Sequence, residues 1–138
     1  MFQEPEYLDP PGTAPAQGLY SHIGVARGGR TLYIAGQLSV ALDGSVVGRN
    51  DFAAQFHQVF GNLGDVLKGA GASFDNIVKF STLFVRSQDI ELFMELRREN
   101  FPKYFSGPKF PPNTILVIDR LVKEDFLFEV EAIAVVPD

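Results

Sequence analysis

Two carboxylates stand two residues apart in an apolar stretch near the C-terminus. The stretch runs from Phe126 to Val136, and Glu129 and Glu131 are its only charged residues. In a β-strand, residues two apart share a face and are separated by about 6.6 Å along the strand. One interpretation is a solvated strip on an edge strand. The other is functional, because a carboxylate in a partly apolar cleft has a raised pKa and is suited to activating water or relaying a proton.

A second apolar run begins with polar side chains. It follows Pro111-Pro112, starts with Asn113 and Thr114, and is predicted to be a strand. Strands normally consist of β-branched and aromatic residues, so these polar groups require an explanation. Further upstream, Tyr20 stands at the entrance of the first predicted strand, either as a buried anchor or as a phenol facing a pocket.

Other chemically capable residues have simpler interpretations. His22 and His57 are 35 positions apart, and the chain has no cysteine. His22 is interpreted as a structural or surface residue, with proton transfer as the alternative, and His57 is predicted to be exposed. We therefore expect no metal site and no thiolate nucleophile. The charged run of residues 95–99, which includes Arg97, is predicted to be a solvated helix face with pairs at i, i+3 and i+4.

Length and charge limit the class of protein. With 138 residues, we predict one domain over residues 19–138, preceded by a Pro- and Gly-containing arm over residues 1–18. The net charge is −5 and the basic residues are scattered, which disfavours nucleic-acid binding. No secretion signal or membrane span is recognisable, so we expect a soluble, cytoplasmic protein.

Periodicity and turn residues predict an α+β fold. A hairpin is predicted around Gly28-Gly29, joining strands at residues 20–27 and 31–37, with at most a short strand at residues 45–48. A helix capped by Asn50 or Asp51 carries apolar residues at spacings of three and four. A strand over residues 77–85, a helix from Gln88 until Pro102, and two terminal strands complete a mixed sheet with both helices on one face.

Two of the predicted strands are apolar on both faces, although the helices can cover only one. Residues 78–85 and 126–136 show this pattern. An exposed apolar sheet face of that size is uncommon on a small monomer, so we predict that the chain associates with itself.

Several segments, in order, resemble the Rid (YjgF, reactive intermediate deaminase) family over nearly the whole chain. They are Gly18-Leu-Tyr20-Ser-His22, Ala35-Gly36-Gln37, Asp51 to Gln55, Ala70-Gly-Ala-Ser73, Ile77-Val-Lys79, Pro111-Pro-Asn-Thr114 and Glu129-Val-Glu-Ala-Ile-Ala134. The resemblance implies a chorismate-mutase-like fold assembled as a barrel-cored homotrimer, with small-molecule clefts between subunits. It also implies hydrolysis of imines or enamines, such as 2-aminoacrylate, to a keto acid and ammonia without a metal or cofactor.

The resemblance carries over some site residues and departs at others. Glu129 matches the glutamate thought to position the water, Tyr20 the cleft tyrosine, and Ala35 with Gly36 the small backbone stretch that lines the cleft. Asn113, followed by Thr114 and Ile115, replaces the arginine that grips a substrate carboxylate. A second departure is Met94, near the position of the family's cleft asparagine.

These departures leave two principal hypotheses. The first is a divergent Rid-type hydrolase of a small imine or enamine, in which Glu129 activates water and Asn113 and Thr114 contact the substrate. The second is a trimer that binds a small ligand or regulates without catalysis. A ribonuclease or translation inhibitor, another activity attached to the family by name, is disfavoured by the acidic composition.

Overall fold

The computed structural model describes residues 2–138, so Met1 of the predicted arm lies outside the described residues. The larger sheet has strand order β3-β6-β4-β5, and β1 and β2 form a separate two-stranded sheet. In chain order, the elements are β1 (Gln3–Leu8), β2 (Ile23–Arg27), β3 (Arg30–Gln37), α1 (Phe52–Gly69), a short 3-10 turn (Phe74–Asn76), β4 (Ile77–Phe84), α2 (Asp89–Tyr104), β5 (Asn113–Val117) and β6 (Phe128–Val136).

The four-stranded sheet is mixed, as predicted. Strand β6 pairs antiparallel with β3 and β4, whereas β4 and β5 are parallel. A parallel pair needs a crossover connection, and α2 provides it. The predicted α+β class with two helices and a mixed sheet is therefore confirmed.

Aromatic side chains fill the space between the helices and the sheet. Phe56 lies at the centre, with its ring centroid 4.8 Å from that of Phe60 and 5.9 Å from that of Phe128. Helix α1 begins as predicted, because the Asp51 carboxylate accepts a hydrogen bond from the Ala54 amide at 3.1 Å. The helix-covered side of the sheet, called here the helix face, carries Phe80, Thr82, Phe84, Phe128, Val130, Ala132 and Ala134, all buried.

The predicted hairpin across Gly28-Gly29 is wrong. Both glycines have positive φ, 65° and 77°, and make the turn, but the strands on either side enter different sheets. Strand β3 pairs with β6, which is nine residues long, and β2 pairs instead with β1. The predicted arm is thus extended but not loose, since its residues 3–8 form β1 and the Tyr7 hydroxyl donates to the Ile77 carbonyl at 2.6 Å.

Helix α2 differs from the sequence prediction in two respects. It continues past Pro102 to Tyr104, because a proline in the last turn removes only one hydrogen bond near the helix end. The prediction that Arg97 is solvated is also wrong, since only 2% of its surface is exposed. Phe93, Arg97 and Phe101 are four residues apart and form one stripe, which is directed at the sheet.

The opposite side of the four-stranded sheet, called here the open face, is only partly covered within residues 2–138. Leu83 and Ile133 are half-buried, whereas 81% of Tyr33 and 43% of Leu116 are exposed. This chain by itself therefore leaves part of the second apolar side of these strands exposed. No helix in residues 2–138 combines the length and the apolar character that crossing a membrane would require.

Candidate functional site

Glu129 lies on the open face, beside a glycine of the neighbouring strand. It pairs with Leu83 across β6 and β4, and its side chain is half-buried. A Cβ built on Gly36 of β3 would lie 2.5 Å from the Glu129 carboxyl carbon. Only a glycine therefore leaves room for the carboxylate in this position, where it lies directly against the β3 backbone.

The surroundings of Glu129 favour its protonated form. Burial raises the pKa of the Glu129 carboxyl group, and the negative charge of Glu131 raises that pKa further. A carboxylate whose pKa is moved towards neutrality is a better proton acceptor than an ordinary surface glutamate. The raised pKa therefore supports a proton-transfer role for Glu129. Glu131 is exposed, as expected for a solvated surface carboxylate.

Asn113 lies on the helix face and is incompletely hydrogen-bonded. It is the register partner of Phe80, and its Oδ1 accepts a hydrogen bond from Thr82 Oγ1 at 2.7 Å. Its Nδ2 is enclosed and finds no acceptor among residues 2–138. An enclosed amide donor without an acceptor is costly, and in a native structure it requires an explanation.

The two residues after Asn113 divide between the faces. Thr114 is exposed and pairs with Ser81 on the open face, whereas Ile115 pairs with Thr82 and packs against the core. Ala35 lines a depression of about 400 Å³ on the open face, together with Tyr33, Lys79, Ser81, Glu131 and Ile133.

Glu129 and Asn113 do not meet within one chain. The register places them on opposite faces of the sheet. Thr114 shares the open face with Glu129, but β4 lies between their strands, and the usual strand spacings put their Cα atoms about 12 Å apart. A site that contains all the residues predicted from the sequence therefore requires more than one copy of the chain.

Arg97 is a site candidate that the sequence prediction missed. Its Nη2 donates to Met94 Sδ at 3.0 Å, and its Cζ lies 5.0 Å from the ring centroid of Phe93. Burial lowers the pKa of Arg97 to about 10, which leaves it charged at neutral pH. The sequence does contain an indication that Arg97 is buried, because it lies four residues from both Phe93 and Phe101. Its charged neighbours, however, favour the interpretation as a solvated helix face.

The Gln17–Tyr20 segment covers the guanidinium of Arg97. A Cβ built on Gly18 would lie 3.3 Å from Arg97 Cζ, and the φ of Gly18 is 140°, which favours glycine. Tyr20 is half-buried, and its hydroxyl accepts a hydrogen bond from the Gln17 amide at 3.0 Å. Tyr20 is thus not a deep core anchor, and its hydrogen bond with Gln17 is exposed to solvent. Both histidines, by contrast, are exposed.

Comparison with known proteins identifies the family. The family model described as Endoribonuclease L-PSP matches residues 11–136. A RutC family protein from Synechocystis, slr0709, is 34% identical over 90% of this chain and 92% of its own length. The chain belongs to the Rid/YjgF family. The family resemblance predicted from the sequence is confirmed.

Other Rid proteins show how much of the molecule is shared. The human 2-iminobutanoate/2-iminopropanoate deaminase is 29% identical over 77% of this chain and 73% of its own length. The crystal structure of YyfB, a Rid family protein from Yersinia pestis, superimposes with a TM-score of 0.86 at 28% identity, covering 97% of this chain and all of that one. RidA from Psychrobacter superimposes with a TM-score of 0.66 at 29% identity, covering 88% and 92% of the two chains. The mixed sheet with two helices is therefore the Rid fold.

Proposed function

We propose that this Rid protein hydrolyses the C=N bond of a small imine or enamine, with Glu129 as the proton acceptor. The observation that carries the proposal is the position of Glu129, half-buried against the Gly36 backbone with its pKa raised by burial and by Glu131. The reaction needs a group that takes a proton from water and passes it on, and a carboxylate with a raised pKa can do this without a metal or cofactor.

The steps follow from the chemistry of imine hydrolysis. An enamine substrate is first protonated at carbon by a proton from solvent, which gives the iminium form. The Glu129 carboxylate takes a proton from water while the water oxygen bonds to the iminium carbon, which gives a carbinolamine. Glu129 then gives that proton to nitrogen, and the C–N bond breaks while the ionised carboxylate takes the hydroxyl proton. A carbonyl compound and ammonia leave, and Glu129 returns the proton to solvent. Ionised Glu129 is therefore the active form, and turnover should fall as pH falls through its pKa.

We further propose that the site forms between copies in a homotrimer of the chorismate-mutase-like type, located in the cytoplasm. The incompletely covered open face supports self-association, because Tyr33 and Leu116 are exposed on it. In such an assembly, the edge strand β5 of one copy lies near Glu129 of the next. Asn113, Thr114 and Tyr20 then contact the substrate, and Ile115, Ala35 and Gly36 line the cleft.

A pair of variants tests the catalytic role of Glu129. An amino-acid oxidase would generate imines in situ, and the rate of keto acid release would be measured with semicarbazide as the competing trap. We expect Glu129→Gln to reduce turnover by about a hundredfold or more. Glu131→Gln, which removes the same charge two residues away on an exposed side chain, should retain most turnover. Equal rates for wild type, Glu129→Gln and buffer would contradict the proposal.

A second candidate is a non-catalytic trimer that binds a small ligand. Two sequence features favour it, namely Asn113 in place of the arginine implied by the resemblance and Met94 in place of the asparagine. A ligand that raises the melting temperature and is recovered unchanged would support this candidate over hydrolysis. An RNA affinity that falls steeply with salt would instead favour the ribonuclease interpretation, which the net charge of −5 disfavours.

A further inference from the structure

Strand β1 has one edge that no other strand covers. Within residues 2–138 it pairs only with β2, so the backbone groups on its other side have no strand partner. A free strand edge is a template for pairing with another chain. The regular part of the β1–β2 ladder is residues 6–8, because Pro5 lies in the irregular stretch between the paired residues Gln3 and Glu6. No proline interrupts residues 6–8, so this part of the edge can accept a further strand.

A groove of about 500 Å³ runs along this free edge. Its lining includes residues 4–8, which are consecutive in β1. Successive side chains of a strand point to opposite faces, so a cavity that touches consecutive residues lies beside the strand edge and not above one face. At about 3.3 Å per residue, the groove has room along the strand for an extended segment of about five residues.

The opposite wall of the groove is formed by Asp75 and by residues 106–109. The Asp75 carboxylate accepts one hydrogen bond from the Ser106 amide at 2.9 Å and a second from the Ser106 hydroxyl, which hold this wall in place. On the β1 side, the Tyr7 hydroxyl donates to the Ile77 carbonyl at 2.6 Å. Contacts within one chain therefore hold both walls, and the groove does not need a partner in order to form.

Carboxylates dominate the charge of the groove. Its charged lining residues are Glu4, Glu6, Asp75 and Lys109. Among the ion pairs of residues 2–138, none involves Glu4 or Asp75, and Glu6 makes only an exposed one at 3.7 Å. Burial raises the pKa of Tyr7, and the negative charges of Asp75 and Glu4 raise that pKa further, so both carboxylates act on this part of the groove. The groove therefore favours a partner with positive charge.

The same charges argue against a second copy of β1 as the partner. If two copies of β1 paired with each other, the carboxylates of Glu4 and Glu6 in one copy would lie beside those of the other. Like charges on opposite strands destabilise a sheet, whereas opposite charges stabilise it. A segment with basic side chains is therefore the better occupant.

We propose that the free edge of β1 binds an extended, basic segment of another protein as an additional strand. The backbone of the segment pairs with residues 6–8, and its basic side chains lie near Glu4, Glu6 and Asp75. The wall formed by residues 106–109 leaves room only for an extended chain. Strand β1 belongs to the smaller sheet, so this proposal does not depend on imine hydrolysis at Glu129.

The test uses three fluorescent peptides and the full-length protein. The probe is Lys-Val-Lys-Val-Lys, and Glu-Val-Glu-Val-Glu has the opposite charge. The third peptide is the probe with a methyl group on every backbone nitrogen, which keeps the charge but removes the N–H donors that strand pairing needs. Binding would be measured by fluorescence anisotropy at constant ionic strength. We expect the probe to bind at least about tenfold more tightly than either of the other peptides.

A pair of variants and a mapping experiment locate the binding surface. Glu4→Lys reverses one charge of the groove at an exposed residue and should weaken binding of the probe by about three- to tenfold. Glu91→Lys, the same change at an exposed residue of α2 outside the groove, should leave binding unchanged. Bound probe should slow the amide hydrogen exchange of residues 3–8.

Four results would each overturn the proposal. They are no binding of the probe at about 1 mM, equal binding of the methylated peptide, equal effects of the two variants, and no added protection of residues 3–8. Equal binding of the methylated peptide would show that charge alone attracts the probe, without strand pairing.

Discussion

The two faces of the four-stranded sheet differ in the side chains that they carry and in how far these are buried. The helix face is packed with phenylalanine rings from both helices, and Phe56 at its centre has no exposed surface. The open face carries half-buried aliphatic residues, the exposed Tyr33 and the two carboxylates of β6. Under the proposed function, the helix face supplies the stability of the subunit, whereas the open face supplies assembly and proton transfer.

Each face contains one polar feature that its packing does not require. On the helix face this feature is Asn113 beside Thr82, because its enclosed Nδ2 finds no acceptor in residues 2–138. On the open face it is Glu129, whose carboxylate occupies space that Gly36 leaves free. Polar groups retained at a cost in such positions are the strongest candidates for function.

The largest expected effect concerns the helix face. Phe56→Ala would leave a cavity in the aromatic core and should lower the free energy of unfolding by about 3–5 kcal/mol. Leu42→Ala, which shortens a fully exposed apolar side chain, should change it by less than about 0.5 kcal/mol. Urea denaturation followed by circular dichroism measures both, and similar losses would remove the distinction between core and surface.

A substitution on the open face should affect assembly without unfolding the subunit. Tyr33→Asp places a charge on the edge strand β3 of this face, and we expect sedimentation to show monomers where the wild type is proposed to form trimers. The circular dichroism spectrum should remain that of a folded chain. Leu42→Asp, an equally exposed apolar position outside the sheet, should still form trimers. A monomeric wild type would refute the role assigned to the open face.

Moving the Glu129 carboxylate should reduce turnover more than stability. In Gly36→Ala, the new methyl group would displace the flexible end of the Glu129 side chain, so turnover should drop at least about tenfold while stability changes by about 1 kcal/mol or less. Gly61→Ala is the control, because a Cβ there meets no atom within 4 Å. That change should raise stability by about 0.5–1 kcal/mol and leave turnover unaffected. Unchanged turnover in Gly36→Ala would argue against the assigned position of Glu129.

The smallest expected effect is a shift in the pH profile. The charge of Glu131 raises the pKa of Glu129, so Glu131→Gln should let Glu129 ionise at lower pH. Because ionised Glu129 is the active form, the acid limb of the pH–rate profile should move to lower pH by a fraction of a unit. The profile would be measured against that of wild type at the same ionic strength. A shift to higher pH would contradict the assignment of Glu129 as the base.

Much of the fold could be predicted from the sequence, because its signals are local. The three- and four-residue spacing of α1, its Asp51 cap and the apolar β4 and β6 each specify their element without tertiary information. The pairing of β2 could not be predicted in this way. The Gly28-Gly29 turn is compatible with a hairpin, and only the competition between β2 and β6 for β3 decides against it.

The candidate site was only partly predictable, for a related reason. Glu129 and Asn113 are conspicuous because they are polar among apolar neighbours, and both are structurally unusual here. Arg97 lies among charged residues, so the composition of residues 95–99 indicates a solvated helix face. Its burial depends on the orientation of α2 against the sheet, which Phe93 and Phe101 determine.

The central claim is that one site takes Glu129 from one copy and Asn113 with Thr114 from another, and subunit mixing tests it most directly. The Glu129→Gln protein and a protein carrying both Asn113→Ala and Thr114→Val, each expected to have little activity alone, would be unfolded together, refolded and assayed for imine hydrolysis. Random assortment in trimers should create sites with both native residues in about one quarter of cases, so about a quarter of wild-type activity should return. Recovery of no activity in mixed trimers, with both variants shown to co-assemble, would contradict the claim.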